Sequence, residues 1–109
     1  MSNLIVPWKA ASSVLSAGVS SDGWNLAEVP AGEIDTPRTY TAAVSFPEAY
    51  LSAPVVHAAL TGFDLDQRDS ARVSVAVSNV TNTGFTIAIT TWRETRVYGV
   101  EVSWLAIGN

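Results

Sequence analysis

The chain has 109 residues, six Lys and Arg against ten Asp and Glu, one His and no Cys; that is one domain's worth of sequence, with no disulfide, no thiolate zinc site and no cysteine nucleophile. A net charge of −4 and a pI near 4.6 work against capture of nucleic acid or of an anionic membrane, both of which need clustered cations. No run of about 18 apolar residues is present to insert across a bilayer, yet 48% of the residues are hydrophobic and only 15% charged, as expected of a small domain hiding extra surface against copies of itself.

The opening stretch, Met1 to Lys9, lacks the basic start and long apolar segment of a signal peptide, so classical secretion is not expected and the location of the protein stays open. Residues 1–17 read as an N-terminal arm ahead of a single domain at 18–109. Within the arm, Trp8 to Leu15 fits helix or strand, and the extended form is expected. Asp22-Gly23 marks a turn, and residues 28–37 form an ordered loop. From Tyr40 onward apolar residues recur at every second position, the period of a strand whose successive side chains point to opposite faces. Tyr40, Ala42, Val44 and Phe46 oppose Thr41, Ala43 and Ser45, and Pro47 ends the run. Pro54 removes a donor just ahead of Val55 to Leu60, which suits a strand start. His57 lies in this apolar run, and no Gly-x-Ser-x-Gly elbow occurs anywhere, so His57 is expected to be a packed or interface residue rather than a catalytic base. Asp64-Leu65-Asp66-Gln67-Arg68-Asp69 has the acid spacing of a calcium loop but lacks its glycine, and Val75 stands where the closing acid belongs. A solvated turn without metal is the expectation there.

Further along, Val73, Val75 and Val77 oppose Arg72, Ser74, Ala76 and Ser78. After turn residues 79–84, Phe85, Ile87 and Ile89 oppose Thr86, Ala88, Thr90 and Trp92. A hairpin centred on Asn82 pairs Val77 with Ile87 and Val75 with Ile89 on the core face. It also brings Arg72 beside Trp92 at one end of the sheet, on the face turned away from the core. The last run sets Tyr98, Val100, Val102, Trp104 and Ala106 inward. With only Arg93 to Arg96 as connection, it is expected in the same sheet, Val100 by Ile89, Val102 by Ile87 and Trp104 by Phe85. Ser74, Ala76, Ser78, Thr86, Ala88, Thr90, Gly99 and Ser103 then make a face of small neutral side chains, suited to cover by a second sheet or by another subunit. Short strands between turn signals make the chain all-β, an antiparallel sandwich or barrel.

The segment from Thr91 to Tyr98 carries an indole, a phenol and two guanidinium groups to the sheet end that Arg72 also reaches. Sugars are recognised by such mixtures, aromatic faces covering the C–H surface of a pyranose and charged groups making forked hydrogen bonds to its hydroxyls. On residue types alone, a core-edge tryptophan with surface arginines is the simpler description. An ordered set of short matches weighs against it: Gly23-Trp24, Val29-Pro30, Val44-Ser45-Phe46, Pro54-Val55-Val56, Phe63-Asp64, Arg72-Val73, Thr83-Gly84-Phe85, Thr91-Trp92 with Thr95, Val97-Tyr98 and Ser103-Trp104-Leu105-Ala106. In this order and spacing, from about Gly18 to Ile107, the chain resembles the H-type lectin domain family of invertebrate agglutinins and discoidin C-terminal domains.

The resemblance implies a six-stranded antiparallel β-sandwich that assembles as a homotrimer, or a higher assembly built from it. It implies binding of galactose- or N-acetylgalactosamine-type glycans, in the manner of agglutinins and cell-adhesion lectins, without catalysis, cofactor or metal. It assigns sugar hydroxyl contacts to Asp35 and Arg72 and aromatic contacts to Trp92 and Tyr98, in a site where two subunits meet. Tyr98 has the parity of a core residue, so a bulge at the sheet end must release it. Arg93 stands where the agglutinins often carry His, and its permanent charge is expected to extend binding towards acidic sugars. Residues 31–34 also depart from the agglutinins. The absence of cysteine separates the chain from secreted animal members and points towards a microbe or its phage. The alternative is a structural trimerisation, decoration or receptor-binding module of a bacterial or phage particle that uses this fold without reading sugar.

Overall fold

The computed structural model describes residues 8–66 and 70–109. Six strands follow one another along the chain: β1 (Lys9–Gly18), β2 (Arg38–Ser45), β3 (Val55–Asp66), β4 (Val73–Ser78), β5 (Gly84–Thr91) and β6 (Arg96–Gly108). They make two antiparallel three-stranded sheets, ordered β1-β6-β3 and β2-β5-β4, packed face to face as a sandwich; no helix occurs among the described residues. The extended stretch expected at 8–17 is β1, paired with β6 from Lys9 opposite Gly108 to Gly18 opposite Gly99. Residues 1–7 of the N-terminal arm lie outside the described residues. So do Gln67, Arg68 and Asp69, while Asp64 and Asp66 belong to the end of β3 and not to a turn.

The β4–β5 hairpin has the expected register, Val77 opposite Ile87 and Val75 opposite Ile89. Asn79 turns the chain with φ 53°, a left-handed conformation that Asn tolerates better than most residues. The Thr81 N–H then donates to the Gly84 carbonyl at 2.8 Å. Gly84 itself must lack a side chain, because a Cβ there would collide with the carbonyl oxygen of Val44.

The expected continuation of that sheet into β6 is overturned. Residues 92–95 arch from one sheet to the other, and β6 becomes the central strand of the opposite sheet, between β1 and β3. Val102 and Trp104 do share the core with Ile87 and Phe85, but across the sandwich; the Phe85 and Trp104 rings lie 5.2 Å apart, edge to face. Inward parity is the same whether two strands are side by side or stacked, so alternation alone does not separate these arrangements.

Between the sheets lie Leu26, Phe46, Tyr50, Phe85, Ile87, Ile89, Val97, Val100, Val102, Trp104 and Ala106. The small neutral face is split by the same correction. Ser74, Ala76, Ser78, Thr86, Ala88 and Thr90 lie on the outside of the β2-β5-β4 sheet, joined by Thr39, Thr41, Ala43 and Ser45 of β2, with no charge among them. Gly99 and Ser103 belong to the other sheet, whose outer face exposes Val14, Val55, Leu105 and Ile107. His57 is exposed on that face, not packed in the core: its neighbours in β3, Val56 and Ala58, take the inward positions.

Candidate functional site

At one end of the sandwich β2, β4 and β6 begin and β5 ends, so Arg38, Val73, Arg96 and Thr91 converge. The loop that contains residues 19–37 and the arch at 92–95 cross this end. Their carbonyls need partners once buried. Arg38 supplies them. Carrying the alternation of Tyr40, Ala42, Val44 and Phe46 back by one period puts Arg38 on the inner face, where it is 7% exposed. Its Nη2 donates to the carbonyls of Arg93 at 3.2 Å and Thr95 at 2.8 Å, and its Nη1 to that of Glu28 and, at 3.5 Å, Leu26. These partners are carbonyls, so burial, and then the like charge of Arg96, hold the Arg38 guanidinium below its ordinary pKa. It nonetheless remains charged. Arg96 donates to the Ala27 carbonyl at 3.4 Å, the Val97 N–H to that of Leu26 at 2.7 Å, and the Trp24 indole to that of Val97 at 2.8 Å. One loop is thus stitched to the start of β6 and to the arch.

Two buried threonines hold Arg72 by its backbone. Its N–H donates to Thr95 Oγ1 at 3.2 Å, and its carbonyl accepts from Thr91 Oγ1 at 2.5 Å. Thr95 Oγ1 in turn donates to the Ser70 carbonyl at 3.2 Å. The β4–β5 ladder closes at Val73 opposite Thr91, and Arg72 and Trp92 are the next residues on the two strands, both half-buried. The backbone follows the expected hairpin register to this point, and the Arg72 guanidinium donates to the Ser70 carbonyl at 3.1 Å. Arg93 follows in a left-handed conformation, φ 59°, which costs a non-glycine residue about 1–3 kcal/mol and persists where the surroundings over-determine it; the grip of Arg38 on the Arg93 and Thr95 carbonyls does so here.

From this turn the Arg93 guanidinium reaches Asp35, Nη1 to Oδ1 at 2.5 Å. Asp35 sits in a loop closed by two turns, the Glu33 N–H to the Pro30 carbonyl at 3.1 Å and the Thr36 N–H to the Glu33 carbonyl at 3.0 Å. The guanidinium expected to face an acidic sugar is therefore paired within the chain. An exposed pair of this kind adds about 0–1 kcal/mol to stability; its larger effect is to tie the two loops together. Between them is a cleft of about 370 Å³, lined by Val29, Pro30, Gly32 and Ile34 on one side and Glu94 and Arg96 on the other.

Tyr98 is released from the core as its predicted role requires. Asp64 pairs with Gly99 and Leu65 with Val97, leaving Tyr98 as the extra residue of a bulge. Val97 takes the inward position, fully buried, and Tyr98 lines a shallow hollow with Ser16 to Ser21 beside the end of β1. Gly18 permits this approach, since a Cβ there would lie 2.6 Å from the Tyr98 carbonyl oxygen. The chain by itself therefore joins Asp35 to Arg93 and sets Arg72 beside Trp92, while Tyr98 is carried by the other sheet. Arg38, Thr91 and Thr95, which hold these groups, are absent from the sequence-derived site. Their signal was available: Arg38 and Thr91 are polar residues at inward parity where an apolar strand pattern runs out.

A carboxylate, forked guanidinium donors and an indole at one surface are suited to a ligand rich in hydroxyls. A model of the H-type lectin domain matches residues 41–107. A curated protein of Fuscovulum blasticum described as ATP synthase subunits region ORF 7 is 38% identical over 73 residues, 67% of this chain and 64% of its own length. Among solved structures, discoidin II of Dictyostelium discoideum superposes with a TM-score of 0.72 at 22% identity, over 91% of this chain and 37% of that one. An N-truncated R1-type pyocin tail fibre superposes with a TM-score of 0.52 at 18% identity, over 95% and 87%. The match to the family model spans most of the strands and the segment from Arg72 to Tyr98, so the chain belongs to the H-type lectin domain family.

Proposed function

We propose that the domain is a non-catalytic carbohydrate-binding module that recognises galactose- or N-acetylgalactosamine-type glycans as a homotrimer. Asp35, Arg72, Trp92 and Arg93 form the site at the Arg38 end of one protomer, and Tyr98 comes from a neighbouring copy. The observation that carries this reading is the convergence of a carboxylate, two arginines and a half-buried indole on a sandwich end stitched together by buried hydrogen bonds. The position of Tyr98 on the other sheet fits a site completed between copies. The uncharged outer face of the β2-β5-β4 sheet and the exposed Val14, Val55, Leu105 and Ile107 on the outside of the β1-β6-β3 sheet are the surfaces such an assembly would bury.

One monosaccharide contact of this kind is weak, of order millimolar or about −4 kcal/mol. Three sites on one particle raise avidity by about 100-fold or more where glycan spacing matches. The test is a glycan array probed with protein whose trimeric mass has been established by light scattering. Binding to galactosides that disappears in Arg72→Ala and Trp92→Ala, with the trimer intact, is the expected result; wild-type binding in both variants sinks the site. A second reading, a fibre or decoration module without sugar recognition, is favoured by the similarity in fold to a pyocin tail fibre over most of both chains. A confirmed trimer that binds no glycan on the array supports that alternative.

A further inference from the structure

Resting on the sugar-binding reading, we infer that Arg93 sets the charge selectivity of the site by occupying Asp35, so that the site takes neutral sugars and refuses acidic ones. The Arg93 guanidinium lies at 2.5 Å from Asp35 Oδ1, and the other carboxylate oxygen keeps its acceptor capacity for a hydroxyl. Side-chain reach is set by a left-handed backbone at Arg93, φ 59°, whose carbonyl is gripped by the buried Arg38 guanidinium at 3.2 Å. The backbone that carries Arg93 towards Asp35 is thus anchored from inside the sandwich.

Charge bookkeeping follows from this geometry. Paired, Arg93 and Asp35 sum to zero. A sialic or uronic acid that reaches the other N–H donors of Arg93 meets a guanidinium already neutralised by Asp35 and sets its own carboxylate close to that of Asp35. Exposed Glu94, which follows Arg93 and lines the cleft, adds to the repulsion. A neutral hydroxyl meets no such repulsion; it accepts from the guanidinium and donates to the oriented carboxylate. The same residue that looks like an acid reader in sequence therefore acts as a lock on the acidic partner of the site.

Titration of the full chain with methyl α-galactoside and with N-acetylneuraminic acid, followed by calorimetry, tests the inference. Wild-type protein is expected to bind the galactoside and to bind the acid at least about 10-fold more weakly. Asp35→Asn, at a largely exposed side chain, folds normally, loses about 10-fold on the galactoside and gains about 10-fold on the acid, because Arg93 is released. The double variant Asp35→Asn/Arg93→Gln loses that gain. Wild-type preference for the acid that vanishes in Arg93→Gln overturns the inference while leaving the lectin reading in place, and so does an Asp35→Asn variant that gains nothing. A wild-type protein that binds neither probe, and no glycan on the array, removes the lectin reading and this inference with it.

Discussion

Where β2 runs out and β5 begins, Phe46, Tyr50, Phe85 and Trp104 fill the gap between the sheets, with ring centroids of Phe46 at 5.0, 5.6 and 6.0 Å from those of Tyr50, Phe85 and Trp104. At the opposite end the same gap is closed by Arg38, Thr91 and Thr95, the buried polar residues among those described. The aromatic end needs only shape and volume, which dispersion and burial reward in any direction. The polar end is directional: each guanidinium or hydroxyl proton specifies where one carbonyl must be, and among the described residues no buried side-chain polar atom lacks a partner. The groups proposed to meet a ligand, Asp35, Arg72, Trp92 and Arg93, are all at this second end.

This contrast can be broken experimentally. Phe85→Ala is expected to have the largest effect, a loss of about 3–5 kcal/mol in urea unfolding, with unchanged sugar affinity in the fraction that remains folded. Arg38→Met comes next, at about 2–3 kcal/mol, because four carbonyls lose a charged donor. Unlike Phe85→Ala, it should also abolish sugar binding at temperatures where the domain is fully folded; retained binding would show that the arch at 92–95 holds its shape without the guanidinium. Thr95→Val removes one hydroxyl at constant shape, for about 1–2 kcal/mol, and should weaken galactoside binding through Arg72, measured by calorimetry. Trp92→Ala, at a half-buried position, is expected to remove glycan binding on the array while the domain stays folded. Lys9→Ala is the smallest: its contacts with Glu48 at 3.6 Å and the Tyr50 ring at 4.9 Å are at the surface of the aromatic end, worth about 0.5 kcal/mol, and sugar binding should not move. A measurable loss of binding in Lys9→Ala would mean the two ends are coupled.

Much of this architecture is legible from the chain alone. Alternation with period two locates β2, β4, β5 and most of β6, and the turn at 79–84 sets the hairpin register as far as Val73 opposite Thr91, with Arg72 and Trp92 next on the two strands. The bulge at Tyr98 is expected only once the family resemblance gives that residue a role its inward parity forbids, and the structure places the bulge there. These features depend on local geometry: a strand's period, a turn's length, a proline's missing donor. The sheet to which β6 belongs, the split of the small neutral face, the exposure of His57 and the capture of Asp35 by Arg93 depend on how two sheets stack. Parity is blind to stacking, and an ion pair between residues 58 apart in sequence exists only once two loops have been brought to the same end. Arg38 shows the boundary most clearly: its inward position is written in the alternation, but its four carbonyl partners come from segments that meet only in the folded sandwich.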